Sequence, residues 1–160
     1  MIKEYDRRAS VKYAQKWAKG RNPNYYDFSK IGGDCTNFIS QCLLAGGGEM
    51  NFDKYYGWYY NNEKNRSPSW TGVRYLQRFL LSNHKKGPFG KVVLLNHLKE
   101  GDLILLKRPF QPYFTHAVIV TKIAKQQIFV CSHTQDALDK PLQEFVFDRA
   151  MGIQIEGIKV

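Results

Sequence analysis

The spacing of apolar positions divides the chain into a helical first half and a strand-rich second half. Over residues 5–19, Tyr13, Ala14, Trp17 and Ala18 fall on one side, and Arg8, Lys12, Lys16 and Lys19 on the other. That is the three-and-four spacing of an amphipathic helix. Gly20 and the Asn22-Pro23-Asn24 turn end it. A second helix is predicted over 35–45, where Cys35, Phe38, Ile39 and Cys42 share a face. Gly32-Gly33-Asp34 precedes it and Gly46-Gly47-Gly48 follows. Asp34 is the expected N-cap, its carboxylate turned to the free amides of the first turn. A third helix is predicted at about 71–83, with Thr71 as its cap and Val73, Leu76, Phe79 and Leu80 as its inner face.

From residue 87 the period changes. Gly87-Pro88-Phe89-Gly90 and Lys99-Glu100-Gly101-Asp102 read as turns. Strands are predicted at 103–106, 116–123 and 128–132, the last two joined by the hairpin loop Ala124-Lys125-Gln126-Gln127. Residues 145–147 and 153–158 carry fainter strand patterns. Helices followed by an antiparallel meander argue α+β, as one domain over 1–160. Between the second and third helices, 49–70 is irregular and holds Phe52, Tyr55, Tyr56, Trp58, Tyr59, Tyr60 and Trp70. It is either a wall over a site or a loop packed onto the core.

Composition narrows the function. Ten Tyr, ten Phe and three Trp exclude wholesale disorder. No apolar run approaches the ~18 residues of a membrane-spanning helix. The opening Met1-Ile2-Lys3-Glu4-Tyr5-Asp6 is charged and no apolar stretch follows. As the chain stands, a cytoplasmic location is expected. Delivery by another route, or excision from a larger protein, would place it at the cell wall. The net charge of +10 suggests an anionic polymer as partner, or simply solubility. No nucleic-acid-binding module is recognisable. Three cysteines without a Cys-x-x-Cys pair fit neither a disulfide framework nor a zinc site.

Cys35 would sit in the first turn of its helix, where free amides and the helix dipole favour thiolate. Cys42 and Cys131 read as core. His116 opens an apolar strand after the loop 108–115, and His133 ends the next strand. A hairpin could set these histidines side by side, one orienting the other, in the logic of a catalytic triad.

Asp34-Cys35-Thr36-Asn37-Phe38-Ile39-Ser40-Gln41 resembles the nucleophile helix of the putative amidase domain family, one of the papain-like cysteine hydrolases alongside NlpC/P60 and CHAP. Ser69-Trp70-Thr71, Glu100-Gly101-Asp102-Leu103-Ile104, Thr115-His116-Ala117-Val118-Ile119-Val120-Thr121 and Ser132-His133-Thr134-Gln135-Asp136 agree with it in order. The resemblance implies a papain-like fold with N-terminal helices on a small antiparallel sheet or half-barrel. It implies Cys35 as nucleophile, His116 as general base and His133 as the orienting residue, with no metal or organic cofactor. An upstream tyrosine, Tyr25 or Tyr26, would join the Cys35 amide in the oxyanion site, with Asp34, Trp58 and Trp70 near the substrate. The reaction implied is amide hydrolysis through a thioester, with a peptide or peptidoglycan-like substrate in bacterial cell walls. Two alternatives stay open: deamidation or acyl transfer on the same scaffold, and a non-enzymatic anion-binding module using Arg8, Lys12, Lys16 and Lys19.

Overall fold

A computed structural model describes all 160 residues. The amphipathic stripe forms α1 (Arg7–Trp17) after a short strand β1 (Ile2–Lys3). Asp6 caps α1, its carboxylate accepting from the Ala9 amide at 2.9 Å. Tyr5, expected inside the helix, instead precedes it as a core residue, donating its hydroxyl to the Gly101 carbonyl at 2.8 Å. The second predicted helix is α2 (Cys35–Ala45), with residues Cys35 through Leu43 all buried. Few soluble helices are covered all round, and one that is must lie in the middle of the molecule.

The aromatic segment contains a small hairpin of β2 (Tyr60–Asn62) and β3 (Asn65–Arg66). A one-turn helix α3 (Pro68–Thr71) leads to α4 (Val73–Ser82). Thr71 therefore closes α3 rather than capping α4, a place taken by Gly72. Pro68 is the reason for the split: proline is pre-set for a helix's first turn, so the helix begins early and then breaks.

The expected turn at 87–90 is part of a strand, β4 (Gly87–Val93). It runs antiparallel to β9 (Arg149–Lys159), with a register shift between Phe89 and Gly90. Glycine and proline there mark the bulge of a paired strand, where sequence alone reads a turn. β5 (Leu103–Lys107), β6 (His116–Ala124), β7 (Gln127–Ser132) and β8 (Ala137–Pro141) complete the meander. The sheet order is β1-β9-β5-β6-β7-β8, with β4 on the far side of β9. Residues 145–147 are not a strand. Phe145 is buried and Val146 is 71% exposed, so the alternation is real, but no neighbour supplies a ladder.

Alternation along β6 decides what each face packs against. Ala117 and Ile119 join the cluster of α1, α2 and α4. Val118 and Val120 join a second cluster with Leu142 and Phe145. The sheet is thus covered by helices on one face and by Leu98 and the segment after β8, with Leu142 and Phe145, on the other. α2 lies on the helical face, with its N-terminus at the start of β6.

Candidate active site around Cys35

The loop Gly32-Gly33 delivers the chain to α2 with φ of 82° and 102°. Only glycine adopts such values without strain. A side chain on Gly33 would also meet Thr134 Oγ1 at 3.4 Å. Thr134 uses that hydroxyl to accept from the Asp34 amide at 2.9 Å, which fixes the helix entrance to the end of β7.

Cys35 is 8% exposed. Its Sγ lies 3.8 Å from Thr36 Oγ1, and the backbone N–H groups of Ala117 and Thr36 are turned so as to favour a negative sulfur. These donors favour thiolate, but burial outweighs them and the neighbouring Asp34 charge adds to it, so the thiol pKa is raised. The resting group is a protected thiol that a base must deprotonate. Cys42 and Cys131 are free, buried core thiols, as expected. Burial raises both, Cys131 to about 11.

Asp34 departs from its expected role. It makes no side-chain cap to α2. Its Oδ1 accepts from the Phe28 amide at 2.8 Å and from Asn37 Nδ2 at 2.9 Å. Its Oδ2 meets His133 Nδ1 at 2.5 Å, while Arg21 Nε stands 3.6 Å away. Arg21 is held in turn by a two-pronged bond to Asp136, at 3.0 and 3.1 Å. Asp34 is therefore a buried tie between the approach loop, the helix and β7. The amides of the first turn are left to others.

His133 also departs from its expected role. Its Nε2 meets the Trp17 carbonyl at 2.7 Å, and its ring stacks on Phe38 with centroids 4.0 Å apart. A carbonyl only accepts, so Nε2 carries a proton. Nδ1 and Asp34 Oδ2 share the other hydrogen bond. Both nitrogens are spent, and neither reaches His116.

The sheet register explains this. At the hairpin turn Ala124 faces Gln127 and Lys122 faces Phe129. Continued unbroken, that register puts His133 opposite Val118, on the face of His116. A bulge between Val120 and Lys122 resets the pairing to Ile119 opposite Cys131. One further step puts His133 opposite Ala117. A one-residue slip sends a side chain to the other face, and here it separates the two histidines.

His116 lies with its ring 6.0 Å from Phe145, toward the second cluster. Its Nε2 is buried with no hydrogen-bond partner. Burial, helped by the charge of Arg108, lowers its pKa to about 4, so at neutral pH it is a free base. The N–H of the residue after it, Ala117, favours thiolate at Sγ. The backbone thus joins the two predicted catalytic residues, while the His116 ring faces away.

A comparison with known families covers nearly the whole of this chain. Residues 4–156 match the family described as "Putative amidase domain". The chain belongs to this family. Amide hydrolysis is the general chemistry that the family's description names. Among curated proteins, it is 39% identical over 120 residues to "Uncharacterized protein YhbB" of Bacillus subtilis (strain 168), covering 73% of this chain and 37% of that one. It is 27% identical over 161 residues to "Uncharacterized protein YjcM" of the same organism, covering 94% and 36%. The chain thus spans little more than a third of the length of these relatives. No solved structure matches it.

The remaining residues expected near the substrate of this amidase domain are mostly structural. Trp58 and Trp70 are fully buried. Their indole N–H groups donate to Ser40 Oγ at 3.0 Å and Asn37 Oδ1 at 2.9 Å. They belong to the core beside α2, which answers the question of wall or packed loop for these two. Tyr25 stacks on Trp70 at 6.1 Å and is half-buried. Burial and the neighbouring Tyr60 raise its pKa. Tyr26 is 37% exposed and offers its carbonyl to Asn37. Thr36, Thr134 and the Ala117 amide went unnoticed in the sequence, because their importance is a matter of long-range placement. Only the repeated glycine before Asp34 signalled that the entrance to α2 was special.

No group of three or more His, Cys, Asp or Glu is arranged to hold a metal ion. No helix is long and apolar enough to cross a membrane.

Proposed function

We propose that the domain is a cysteine-dependent amidase or peptidase of papain-like type, with peptidoglycan-like peptides as substrate. The observation that carries this is the setting of Cys35 Sγ: first turn of a buried helix, a hydroxyl at 3.8 Å, backbone N–H groups of Thr36 and Ala117 that favour thiolate, and a histidine next to Ala117 in the chain. His116 serves as the base. Its ring lies on the face of β6 away from Sγ, so the start of β6 must shift to bring it round, and Nε2 has no hydrogen bond to lose in doing so. Catalytic contacts of this kind often tighten only with substrate present.

The thiolate then attacks the amide carbonyl, and the Cys35 amide at the helix N-terminus holds the oxyanion. His116 returns the proton to the leaving amine, and water hydrolyses the thioester. Asp34 and His133 hold the helix entrance rather than the base. The proposal is tested on a peptidoglycan-derived peptide with Cys35→Ala. Hydrolysis is expected to fall about 10³-fold or more with the circular dichroism spectrum unchanged. Activity within about tenfold of the parent would remove Cys35 from the chemistry.

A further inference from the structure

We infer that the outer face of α4, with the two grooves beside it, recognises an acidic peptide segment of the substrate, an inference that rests on the amidase reading above. One groove, of about 310 Å³, is walled by Tyr55, Tyr56 and Tyr75, with Phe79 beneath and Arg78 and Lys85 at the rim. The other, of about 380 Å³, lies between Arg74, Arg78 and Leu81 and the segment Pro112–Phe114. Arg78 borders both. Neither groove is lined by Cys35, His116 or His133.

The charges here are unbalanced. α4 contains Arg74 and Arg78 one turn apart and no acidic residue, an arrangement that works against the helix itself. Neither arginine forms an ion pair with a carboxylate. Arg74 lies 3.7 Å over the Tyr113 ring and Arg78 5.5 Å from that of Tyr75. Among the residues lining the grooves, Asp53 is the sole carboxylate. Its Oδ1 accepts from the Tyr55 and Tyr56 amides at 2.9 Å each, and its Oδ2 faces Lys85 at 3.9 Å. The guanidinium groups are therefore available, and a guanidinium holds a carboxylate by two parallel bonds.

The tyrosines are unusually open to solvent: Tyr55 73%, Tyr56 74%, Tyr75 47% and Tyr113 49%. Exposed aromatics beside unpaired arginines are the composition of recognition surfaces. Grooves of this size take apolar side chains as well as charge, which favours a peptide over a bare phosphate polymer. Phe114, which lines the second groove, stands two residues before His116 in the chain.

The test uses Cys35→Ala protein, which binds without turning substrate over, and two probes: the pentapeptide Ala-Glu-Leu-Glu-Ala and its counterpart Ala-Gln-Leu-Gln-Ala. The acidic peptide is expected to bind about tenfold or more tightly than the amide peptide. Adding Arg74→Gln and Arg78→Gln should erase that preference and leave the amide peptide unaffected. Both arginines are exposed, so the fold should tolerate the change. In otherwise unaltered protein the same pair should raise KM for an acidic substrate and spare kcat. Equal binding of the two peptides overturns the inference. So does an undiminished preference in the arginine variant, or tighter binding of inorganic polyphosphate than of the acidic peptide. None of these results bears on hydrolysis. Conversely, loss of the amidase reading through the Cys35→Ala activity assay leaves these binding results standing.

Discussion

Two histidines at the ends of adjacent strands have opposite circumstances. His133 is buried, stacked on Phe38 and satisfied at both nitrogens by Asp34 and Trp17. His116 is partly open, and its buried Nε2 has no partner. The first is a structural tie, with both ring nitrogens taken up by buried partners. The second carries a cost in desolvation that the fold gains nothing from, and such cost tends to gather at sites that do chemistry. The difference teaches that a histidine at a strand end is not assigned by its position in the chain. What assigns it is whether the structure spends its nitrogens.

The sharpest way to break that comparison is to remove each ring. His133→Ala takes the close partner from Asp34 Oδ2 in the core and leaves that oxygen only Arg21 at 3.6 Å. The change should cost about 3–5 kcal/mol in urea unfolding, as for other broken buried pairs. Loss of less than about 1 kcal/mol would mean that the pair does not hold the helix entrance. His116→Phe keeps a ring near Phe145 and removes the orphaned nitrogen, so stability should hold while amide hydrolysis is lost.

The same contrast has a pH signature. The folded pKa of His116, about 4, lies below its ordinary 6.5. Between these values the unfolded chain binds the extra proton, so stability is full above pH 6.5 and declines as pH falls toward 4. At 1.36 kcal/mol per unit the loss would be roughly 3 kcal/mol at most. Urea titrations from pH 7 to pH 4 should show it, and His116→Phe should flatten that part of the curve. An unchanged pH slope in the variant would show that His116 is not desolvated.

A smaller effect is expected at the entrance to α2. Gly33→Ala forces a Cβ onto a residue at φ 102° and close to Thr134. The cost should be about 1–2 kcal/mol. Iodoacetamide labelling of Cys35 should quicken as the entrance loosens. Unchanged stability and labelling would mean that the loop is not held as described.

Much of the local structure was legible because it depends on neighbours in sequence. The period of Cys35, Phe38, Ile39 and Cys42 specifies α2, and the alternation in 116–123 and 128–132 specifies β6 and β7. The strand at 87–93 was not legible, since its partner lies some sixty residues away and its Gly-Pro start imitates a turn. Trp58 and Trp70 were equally ambiguous. A tryptophan in an irregular segment can wall a cleft or fill a core, and only the indole bonds to Ser40 and Asn37 decide it.

What the sequence determined by itself is the α+β order, the family and the cysteine at a helix start, because these follow from periodicity and from a contiguous motif. What the tertiary structure decided is which histidine is free. A single bulge in β6 shifts the hairpin register by one residue, and a strand has only two faces. His133 therefore turns to Asp34 and the helices, and His116 to the opposite side with its nitrogen unspent.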